Sequence, residues 1–252
     1  MSDLLIGAHV RGADPIGEAA RLGADQVQFF LGNPQSWKKP PPRADAAVLR
    51  ESPYPLYVHC NYLINIGSDN NRIRIPSRKN LAEQVAAAED IGAVAVIVHG
   101  GHVGATEDTA IGIGRWRKAL DPIESDVMIL IENTAGGEDA ILRVVESYGP
   151  LWEAIGDRNV GVCLDTCHAW AAGEDMATVV DRLLAATDSI DLVHCNDSRD
   201  PHGSRRDRHT NLGTGEIPED VLTGVVTAAG APVIVETPDD QAADIAWLRA
   251  RL

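Results

Sequence analysis

Short, continuous apolar runs alternate along this chain with stretches in which apolar residues recur at every third or fourth position. Continuous runs such as Val94 to His99 are typical of parallel strands buried on both faces, and the helical period appears between Ser77 and Ile91. Eight strand-helix units follow one another without a linker or a break in composition. In a chain of 252 residues this alternation favours one (β/α)8 TIM barrel, a single α/β domain spanning residues 1–252, over an open doubly wound sheet.

Capping residues and glycines set the boundaries of the predicted elements. Asp14-Pro15 is a favoured helix start, and Gly23, Gly92 and Gly230 are each expected to end a helix in the left-handed conformation. The other predicted elements are a strand from Leu4 to Val10, a strand from Ala24 to Phe30, a loop from Leu31 to Pro42, a helix from Arg43 to Glu51, a strand from Pro55 to His59, a loop from Asn61 to Pro76, a helix from Ser77 to Ile91, strands ending at His99, Glu132, Asp165, His194 and Glu236, and a last helix beginning at Thr237-Pro238.

Residues that can bind metal ions stand where these strands end. Five histidines and four carboxylates lie at strand ends or in the loops just beyond them: His59, His99, Glu132, Asp165, His168, His194, Asp207, His209 and Glu236. Because the carboxyl ends of barrel strands meet at one face, we expect these side chains to form one site. Burying so many polar groups together is costly unless metal ions compensate them.

The composition of this donor set indicates a metal and a chemistry. Imidazole and carboxylate groups favour zinc, with manganese or iron as alternatives. Nine ligands shared among three ions, with one carboxylate bridging two of them, would leave coordination positions for water or substrate, which suits metal-assisted phosphoester hydrolysis. No Cys-x-x-Cys pair is present, so a cysteine zinc knuckle is disfavoured. The four cysteines would either pack as small apolar residues or serve as thiol ligands: Cys60, Cys163, Cys167 and Cys195.

Charge and targeting signals bear on the partner and the compartment. A formal net charge of −15 taken alone argues against a nucleic acid partner. However, eleven of the 22 Lys and Arg residues fall in three segments after predicted strands, which would form either a basic rim or solvated loops: Lys38, Lys39 and Arg43; Arg72, Arg74, Arg78 and Lys79; Arg199, Arg205, Arg206 and Arg208. The sequence shows no signal peptide and no apolar run of membrane-spanning length, so we expect a cytoplasmic protein with no membrane partner.

Six short motifs resemble, in chain order, those of the endonuclease IV family of apurinic/apyrimidinic endonucleases. They are His59-Cys-Asn-Tyr-Leu-Ile-Asn65, Glu132-Asn-Thr-Ala-Gly136, Leu164-Asp-Thr-Cys-His168, His194-Cys-Asn-Asp197, Asp207-Arg-His209 and Gly213-Thr-Gly215. The resemblance implies a zinc-dependent (β/α)8 barrel of base excision repair. Such an enzyme hydrolyses the phosphodiester 5′ to an abasic site in duplex DNA, leaving a 3′-hydroxyl and a 5′ deoxyribose phosphate, and it also trims blocked 3′ ends.

Carried over residue by residue, the resemblance implies three zinc sites. One ion would be held by His59, His99 and Glu132. Glu132 would bridge to a second ion, which it would hold together with Asp165, His194 and Glu236. The third would be held by His168, Asp207 and His209. Glu236, or Glu132 through its bridging carboxylate, would help to position the attacking hydroxide.

The resemblance further implies residues that contact DNA. Tyr62 and Leu63 match residues that enter the duplex and hold it open while the abasic sugar is flipped out. In Asn33-Pro-Gln-Ser-Trp37, Gln35 stands where an arginine is often found in the family, and it is expected to contact DNA in that position. The basic segment around Asp207 adds three expected DNA contacts: Arg205, Arg206 and Arg208.

Two other functions fit part of this pattern. A sugar isomerase or epimerase of the related xylose isomerase-like barrels would need one divalent ion, and five of the nine ligands would then have no role; its ligands would be Glu132, Asp165, His194 and Glu236. A lesion-binding module that does not cut DNA would need no open metal positions. We expect a monomer, because an abasic site has no two-fold symmetry for a dimer to match.

Overall fold

A computed structural model describes residues 4–11 and 13–252 of the chain. The strands are β1 (Ile6–Val10), β2 (Val27–Phe29), β3 (Leu56–His59), β4 (Ala95–His99), β5 (Met128–Glu132), β6 (Val160–Asp165), β7 (Leu192–His194), β8 (Asp197–Ser198), β9 (His209–Thr210) and β10 (Val233–Val235). The α-helices are α1 (Pro15–Leu22), α2 (Ala46–Arg50), α3 (Asn71–Asp90), α4 (Thr109–Leu120), α5 (Tyr148–Ile155), α6 (Thr166–Ala172), α7 (Val179–Thr187), α8 (Glu219–Ala229) and α9 (Gln241–Arg249).

Eight of these strands close into a parallel barrel in the order β1-β10-β7-β6-β5-β4-β3-β2, which confirms the predicted (β/α)8 fold. The remaining two, β8 and β9, pair as a short antiparallel hairpin in the connection between β7 and α8. The larger apolar core lies where the helices pack on the outside of the strands. A smaller cluster fills the inside of the barrel: Tyr57, Ala95, Ile97, Leu130, Cys163, Leu192 and Ile234.

Local signals in the sequence explain most helix ends. The Asp14 carboxylate accepts a hydrogen bond from the amide of Gly17 at 2.9 Å, so the predicted N-cap of α1 is confirmed. Gly23, Gly92 and Gly230 follow α1, α3 and α8 with φ of 67°, 70° and 58°, the left-handed conformation expected of a glycine that ends a helix. No helix within residues 4–11 and 13–252 is long and apolar enough to cross a membrane.

Two predicted helix starts were wrong, each because a proline suggested a boundary. Helix α3 begins at Asn71 rather than Ser77, so Pro76 lies inside it; the side chain of Asn70 caps this earlier start by accepting from the amide of Arg72. Helix α9 begins at Gln241 rather than at Thr237-Pro238. The Thr237 hydroxyl is used elsewhere, since it donates to the Asp244 carboxylate at 2.5 Å.

Several predicted strands and the short second helix are shorter in the structure than in the sequence-based prediction. The first and third strands begin later than predicted and end where predicted, and the second is shorter at both ends. The strand predicted to end at Glu236 ends one residue earlier, at Val235. The helix predicted from Arg43 to Glu51 spans Ala46–Arg50. Differences of this size are common at element ends, where backbone hydrogen bonding fades, and they leave the order of the units unchanged.

Candidate metal centre

The pleat of the strands points six predicted ligands into the barrel mouth. Side chains two residues apart on a strand face the same way. In each of six strands or strand ends, the residue two positions before a predicted ligand belongs to the cluster inside the barrel: Tyr57 before His59, Ile97 before His99, Leu130 before Glu132, Cys163 before Asp165, Leu192 before His194, and Ile234 before Glu236. The ligands therefore form the topmost layer of the barrel interior. Strand register adds neighbours, because His99 pairs with Glu132 and Asp165 pairs with His194.

Glu132 is fully buried and lies at the centre of the group. Its Oε2 atom is 3.5 Å from Nε2 of His59 and 3.4 Å from Nε2 of His99. Its Oε1 atom is 3.2 Å from Nδ1 of His194, and that same nitrogen is 3.2 Å from Oε2 of Glu236. One carboxylate therefore faces two sets of predicted ligands, as a bridging ligand must.

The connection after β7 brings the remaining ligands to the same mouth. Asp207 contacts two histidines, with its Oδ2 atom 3.2 Å from Nε2 of His168 and its Oδ1 atom 3.1 Å from Nε2 of His209. Asp165 approaches both rings as well, at 3.8 Å and 3.7 Å. The third predicted set is therefore assembled, and it lies directly beside the second.

Hydrogen bonds on the far side of three rings leave one nitrogen of each free for a metal. Nδ1 of His59 lies 2.7 Å from the carbonyl of Cys60, and Nδ1 of His168 lies 2.9 Å from the carbonyl of Asn133. Nε2 of His194 lies 2.9 Å from the side-chain oxygen of Gln28. A ring that donates to such a partner presents its other nitrogen as a lone pair, which fixes the tautomer and the orientation of a metal ligand.

Three buried amides support this centre, and the sequence-based prediction did not include them. Gln28 donates to Glu236 Oε1 at 2.5 Å in addition to its contact with His194. Asn196 donates to Asp165 Oδ2 at 2.7 Å and accepts from the amide of Glu236. Asn133 exchanges two hydrogen bonds with the backbone of Asp165. A glutamine inside the apolar run Val27–Phe29 was the available signal, because a buried polar residue in a strand needs partners.

Buried polar atoms without hydrogen-bond partners are a second indication, besides the residue types, that the donor set fits metal ions. Among the described residues, two buried atoms of the centre have no hydrogen-bond partner: Oε2 of Glu132 and Nε2 of His209. Nε2 of His209 approaches Asp207 at 3.1 Å, but without the direction that a hydrogen bond requires. Leaving such atoms unpartnered in a protein interior costs about 1–3 kcal/mol each, and coordination to a cation would remove that cost.

The pKa values of these groups show that they act as one electrostatic unit. Burial by itself would raise the pKa of Glu132, but His194 and His99 hold it well below its ordinary value. Burial opposes charge on His168 too, yet Asp165 and Asp207 raise its pKa well above the ordinary value. Burial dominates at His99 and lowers its pKa to about 4. Protons and metal ions compete for the same ring nitrogens, so metal binding to this set is expected to release protons.

All four cysteines are buried and free, and two of them lie near the ligands. The Cys163 thiol is close to Glu132 and His194, and the Cys167 thiol is close to Asp207 and His209. Burial raises the pKa of both thiols to about 12. Because only the thiolate is a good metal ligand, we interpret these cysteines as packing residues of the barrel interior and its mouth.

A cavity of about 290 Å³ opens above the ligands, and the predicted duplex-entering residues stand at its edge. Tyr62 is 56% exposed, and its ring packs against Phe30, His59 and His99 with centroids 5.3 to 6.3 Å apart. Leu63 is half-buried beside it. The amide of Tyr62 donates to the carbonyl of Pro34 at 2.9 Å, which ties this loop to the loop that carries the exposed Gln35.

The three predicted DNA-binding arginines differ in how strongly each is paired with a carboxylate of the chain. Arg208 makes two short hydrogen bonds, of 2.6 and 2.5 Å, to the buried carboxylate of Asp200. Arg206 reaches the same carboxylate only at 3.5 Å, and Arg205 meets the exposed Glu138 at 3.1 Å. We therefore interpret Arg208 as an anchor for the loop that carries Asp207, and Arg205 and Arg206 as the cations that remain available to a phosphate.

The other three histidines lie in different surroundings. His9 lines the cavity, with Nδ1 3.4 Å from Glu236 and 2.8 Å from the Gln28 amide. His102 is exposed in the loop after β4, as its position beyond that strand suggests. His202 packs against the ring of Trp170 and contacts the carbonyl of Glu174, so its ring nitrogen is occupied within the chain.

The chain is similar over nearly its whole length to proteins of one family and to solved structures with the same fold. The sequence profile of the xylose isomerase-like TIM barrel family matches residues 16–251. A probable endonuclease 4 from Mycobacterium tuberculosis is 59% identical over 249 residues, covering 98% of this chain and 99% of that protein. The crystal structure of endonuclease IV from Thermus thermophilus superposes with a TM-score of 0.85 at 31% identity, over 98% of each chain. A D-tagatose 3-epimerase-like protein superposes with a TM-score of 0.81 at 17% identity, over 98% of this chain and 97% of that one, which is a likeness of fold alone.

Proposed function

This chain belongs to the endonuclease IV family of xylose isomerase-like TIM barrels, and we propose that its nine-ligand centre binds three divalent ions, preferentially zinc, to cut DNA at abasic sites. The bond cleaved would be the phosphodiester 5′ to an abasic site in a duplex, leaving a 3′-hydroxyl and a 5′ deoxyribose phosphate. The same hydrolysis applied to a blocked 3′ terminus would restore a 3′-hydroxyl. The observation that carries this proposal is the buried Glu132 carboxylate, which faces two histidine sets and keeps one oxygen without a hydrogen-bond partner.

We assign the ligands in three groups that follow the contacts. His59, His99 and Glu132 would hold the first ion. Glu132, Asp165, His194 and Glu236 would hold the second ion. The third would be held by His168, Asp207 and His209, because Asp207 contacts both rings. Zinc suits this mixture of imidazole and carboxylate donors, with manganese or iron as alternatives.

The chain's own residues would hold the substrate and the attacking water around these ions. Bound divalent ions supply the Lewis acidity that activates water near neutral pH and neutralises charge on the leaving oxygen. Glu236 lines the open cavity whereas Glu132 lies fully buried beneath it. Glu236 is therefore the carboxylate placed to orient the water, and Glu132 orients the ligand histidines.

Three features at the cavity edge would recognise the lesion. Tyr62 presents an exposed ring that is already packed against Phe30 and His59, so its insertion into a duplex would need little reordering. A flipped abasic sugar lacks a base, which lowers the cost of opening the helix at that point. Leu63 and Gln35 lie on two linked loops beside the ring, while Arg205 and Arg206, on the loop that carries Asp207, would contact phosphates.

The decisive test is metal-dependent incision of a duplex oligonucleotide with one tetrahydrofuran abasic analogue. Protein stripped with chelator should lose activity, and addition of zinc should restore it, because all nine proposed ligands converge on one cavity. The product should be cut 5′ to the lesion and should carry a 3′-hydroxyl that a DNA polymerase can extend. A duplex without the lesion is the matched control and should stay intact.

Failure of that experiment has a specific meaning. If folded, metal-loaded protein leaves the lesion duplex intact, the endonuclease assignment is wrong, and ketose and aldose substrates would test the single-metal isomerase alternative. The five ligands outside Glu132, Asp165, His194 and Glu236 argue against that alternative, because they are assembled at the same mouth. Two of them contact Glu132, and the other three contact one another.

A change at Tyr62 should separate lesion recognition from chemistry. Loss of the exposed ring in Tyr62→Ala should lower kcat/KM for the lesion duplex about tenfold, since one stacking contact to a base is worth about 1–3 kcal/mol. This tenfold loss of kcat/KM should come mainly from a higher KM, because the ring holds the opened duplex and is not a metal ligand. Steady-state kinetics with metal analysis would check this. Tyr62→Phe keeps the ring and should retain activity, and equal loss in both variants would contradict the stacking role.

A further inference from the structure

Helix α3 carries a group of cations on its outer surface, away from the cavity mouth. Its first three turns include Arg74, Arg78 and Lys79, and the neighbouring helix α4 adds Arg115 and Lys118. The chain as a whole has a net charge of −15, so this surface is opposite in sign to the rest of the molecule. None of these cations lines the metal cavity.

The cations surround a groove between α3 and α4 with a volume of about 430 Å³. Small residues, Ala110 and Gly114, line it on the α4 side. A Cβ atom at position 114 would meet no atom within 4 Å, so the groove is open at that point. Ile75 and Ile111 form apolar walls and are 60% and 47% exposed, so two large aliphatic side chains stand next to the cations of the same groove.

The positive charge of the groove is not balanced from within. No carboxylate is among the described residues that line it. Arg115 is paired with Glu107 at the upper end, but Arg78 and Lys118 have no ion pair within the described part of the chain. The Nε atom of Arg78 is buried without a hydrogen-bond partner. Burial, and after it the charges of Arg74 and Arg115, lower the pKa of Arg78, so an incoming anion would stabilise a guanidinium that its surroundings disfavour.

We propose that this α3–α4 groove binds an acidic peptide segment of a partner protein, one in which carboxylates alternate with aliphatic or aromatic side chains. The carboxylates would pair with Arg78 and Lys118, and an apolar side chain would lie between Ile75 and Ile111 above Gly114. A DNA backbone would satisfy the cations equally well, but it offers no apolar group for the isoleucine walls. The pairing of charge with exposed aliphatic surface therefore favours a peptide.

The test uses fluorescence anisotropy with a labelled synthetic peptide of alternating aspartate and leucine on the intact metal-loaded protein. The wild type should bind this peptide, more weakly at higher salt, and should bind a peptide of aspartate and glycine much less. Arg78→Ala should weaken binding about tenfold, the scale of an interface residue that contributes strongly. Arg21→Ala, which removes an exposed cation from α1, should have no effect.

A second variant separates loss of the groove from loss of charge. Gly114→Leu should block the groove without changing charge, and it should not unfold α4, because leucine favours helix and the added Cβ meets no atom. Gly224→Leu, at an equally open glycine of α8, is the matched control and should bind like the wild type. Incision of the lesion duplex should be unchanged in all these variants, since none lies at the cavity.

Three results would overturn the proposal. They are no binding of the aspartate-leucine peptide, equal binding of the aspartate-glycine peptide, and binding that neither Arg78→Ala nor Gly114→Leu weakens. A lesion-free duplex whose binding falls in Arg78→Ala, with no peptide binding, would assign the groove to the DNA backbone instead. Because the peptide assay does not depend on incision, its outcome can be separated from that of the proposed nuclease function.

Discussion

Replacing Glu132 by glutamine should reduce incision of the abasic duplex about a thousandfold or more while leaving the barrel folded. The carboxylate is fully buried, and it contacts His59, His99 and His194 within 3.5 Å. An amide of the same size has no negative charge with which to bridge two cations. Loss of Lewis-acid stabilisation of several kcal/mol corresponds to about three orders of magnitude in rate.

The measurement is single-turnover incision together with the metal content of the purified protein. Metal content should fall below that of the wild type, because one residue serves two proposed sites. Glu153→Gln is a matched control, since Glu153 is exposed on the outer helix α5 and lies far from the strand ends. Circular dichroism should show the same helix content in all three proteins. Unimpaired incision by the Glu132 variant would rule out the bridging role.

Predicting the fold from the sequence succeeded because the strands of the barrel are buried on both faces. Buried parallel strands such as β4 must be continuously apolar, and covering helices such as α7 must be amphipathic. The alternation of strands and helices is therefore visible in the sequence as an alternation of these two hydrophobic patterns. Helix starts were less predictable. Pro76 was expected to mark a boundary, yet α3 begins at Asn71, because Asn70 caps it and a proline in the second turn removes only one backbone hydrogen bond.

The nine candidate ligands were predictable as one group, whereas the residues that support them were not. Ligands stand at the ends of apolar runs, where a histidine or carboxylate is conspicuous in the sequence. Supporting residues depend on contacts between distant strands: Gln28 meets His194 across 166 positions, and Asn196 meets Asp165 across 31. The sequence also did not reveal the pairing of Arg208 with Asp200, because that contact forms only when the loop is folded. The residue type is enough to suggest a candidate ligand. The residues that orient that ligand can be identified only from contacts in the folded structure.

Gln28→Leu should lower metal affinity about 10- to 100-fold, the usual cost of losing a residue that orients metal ligands. The side-chain oxygen of Gln28 lies 2.9 Å from Nε2 of His194, and its amide donates to Glu236 and lies 2.8 Å from His9. Leucine fills a similar volume but makes none of these bonds. His194 would then lose the partner that turns Nδ1 toward Glu132, and Glu236 would lose a donor that fixes its orientation.

Competition with a fluorescent zinc chelator would measure this loss, and Gln26→Leu supplies the matched control. Gln26 is also a buried glutamine, two residues earlier in the chain, but its amide donates to the backbone carbonyls of Leu5 and Val233 and contacts no ligand. Its replacement should cost stability, seen as a lower Tm, and leave zinc affinity close to that of the wild type. Equal loss of zinc affinity in both variants would mean that loss of any buried polar group in or next to β2 loosens the barrel mouth. Loss of zinc affinity in Gln28→Leu alone would show that the Gln28 amide acts through His194 and Glu236, because only Gln28 contacts those two residues.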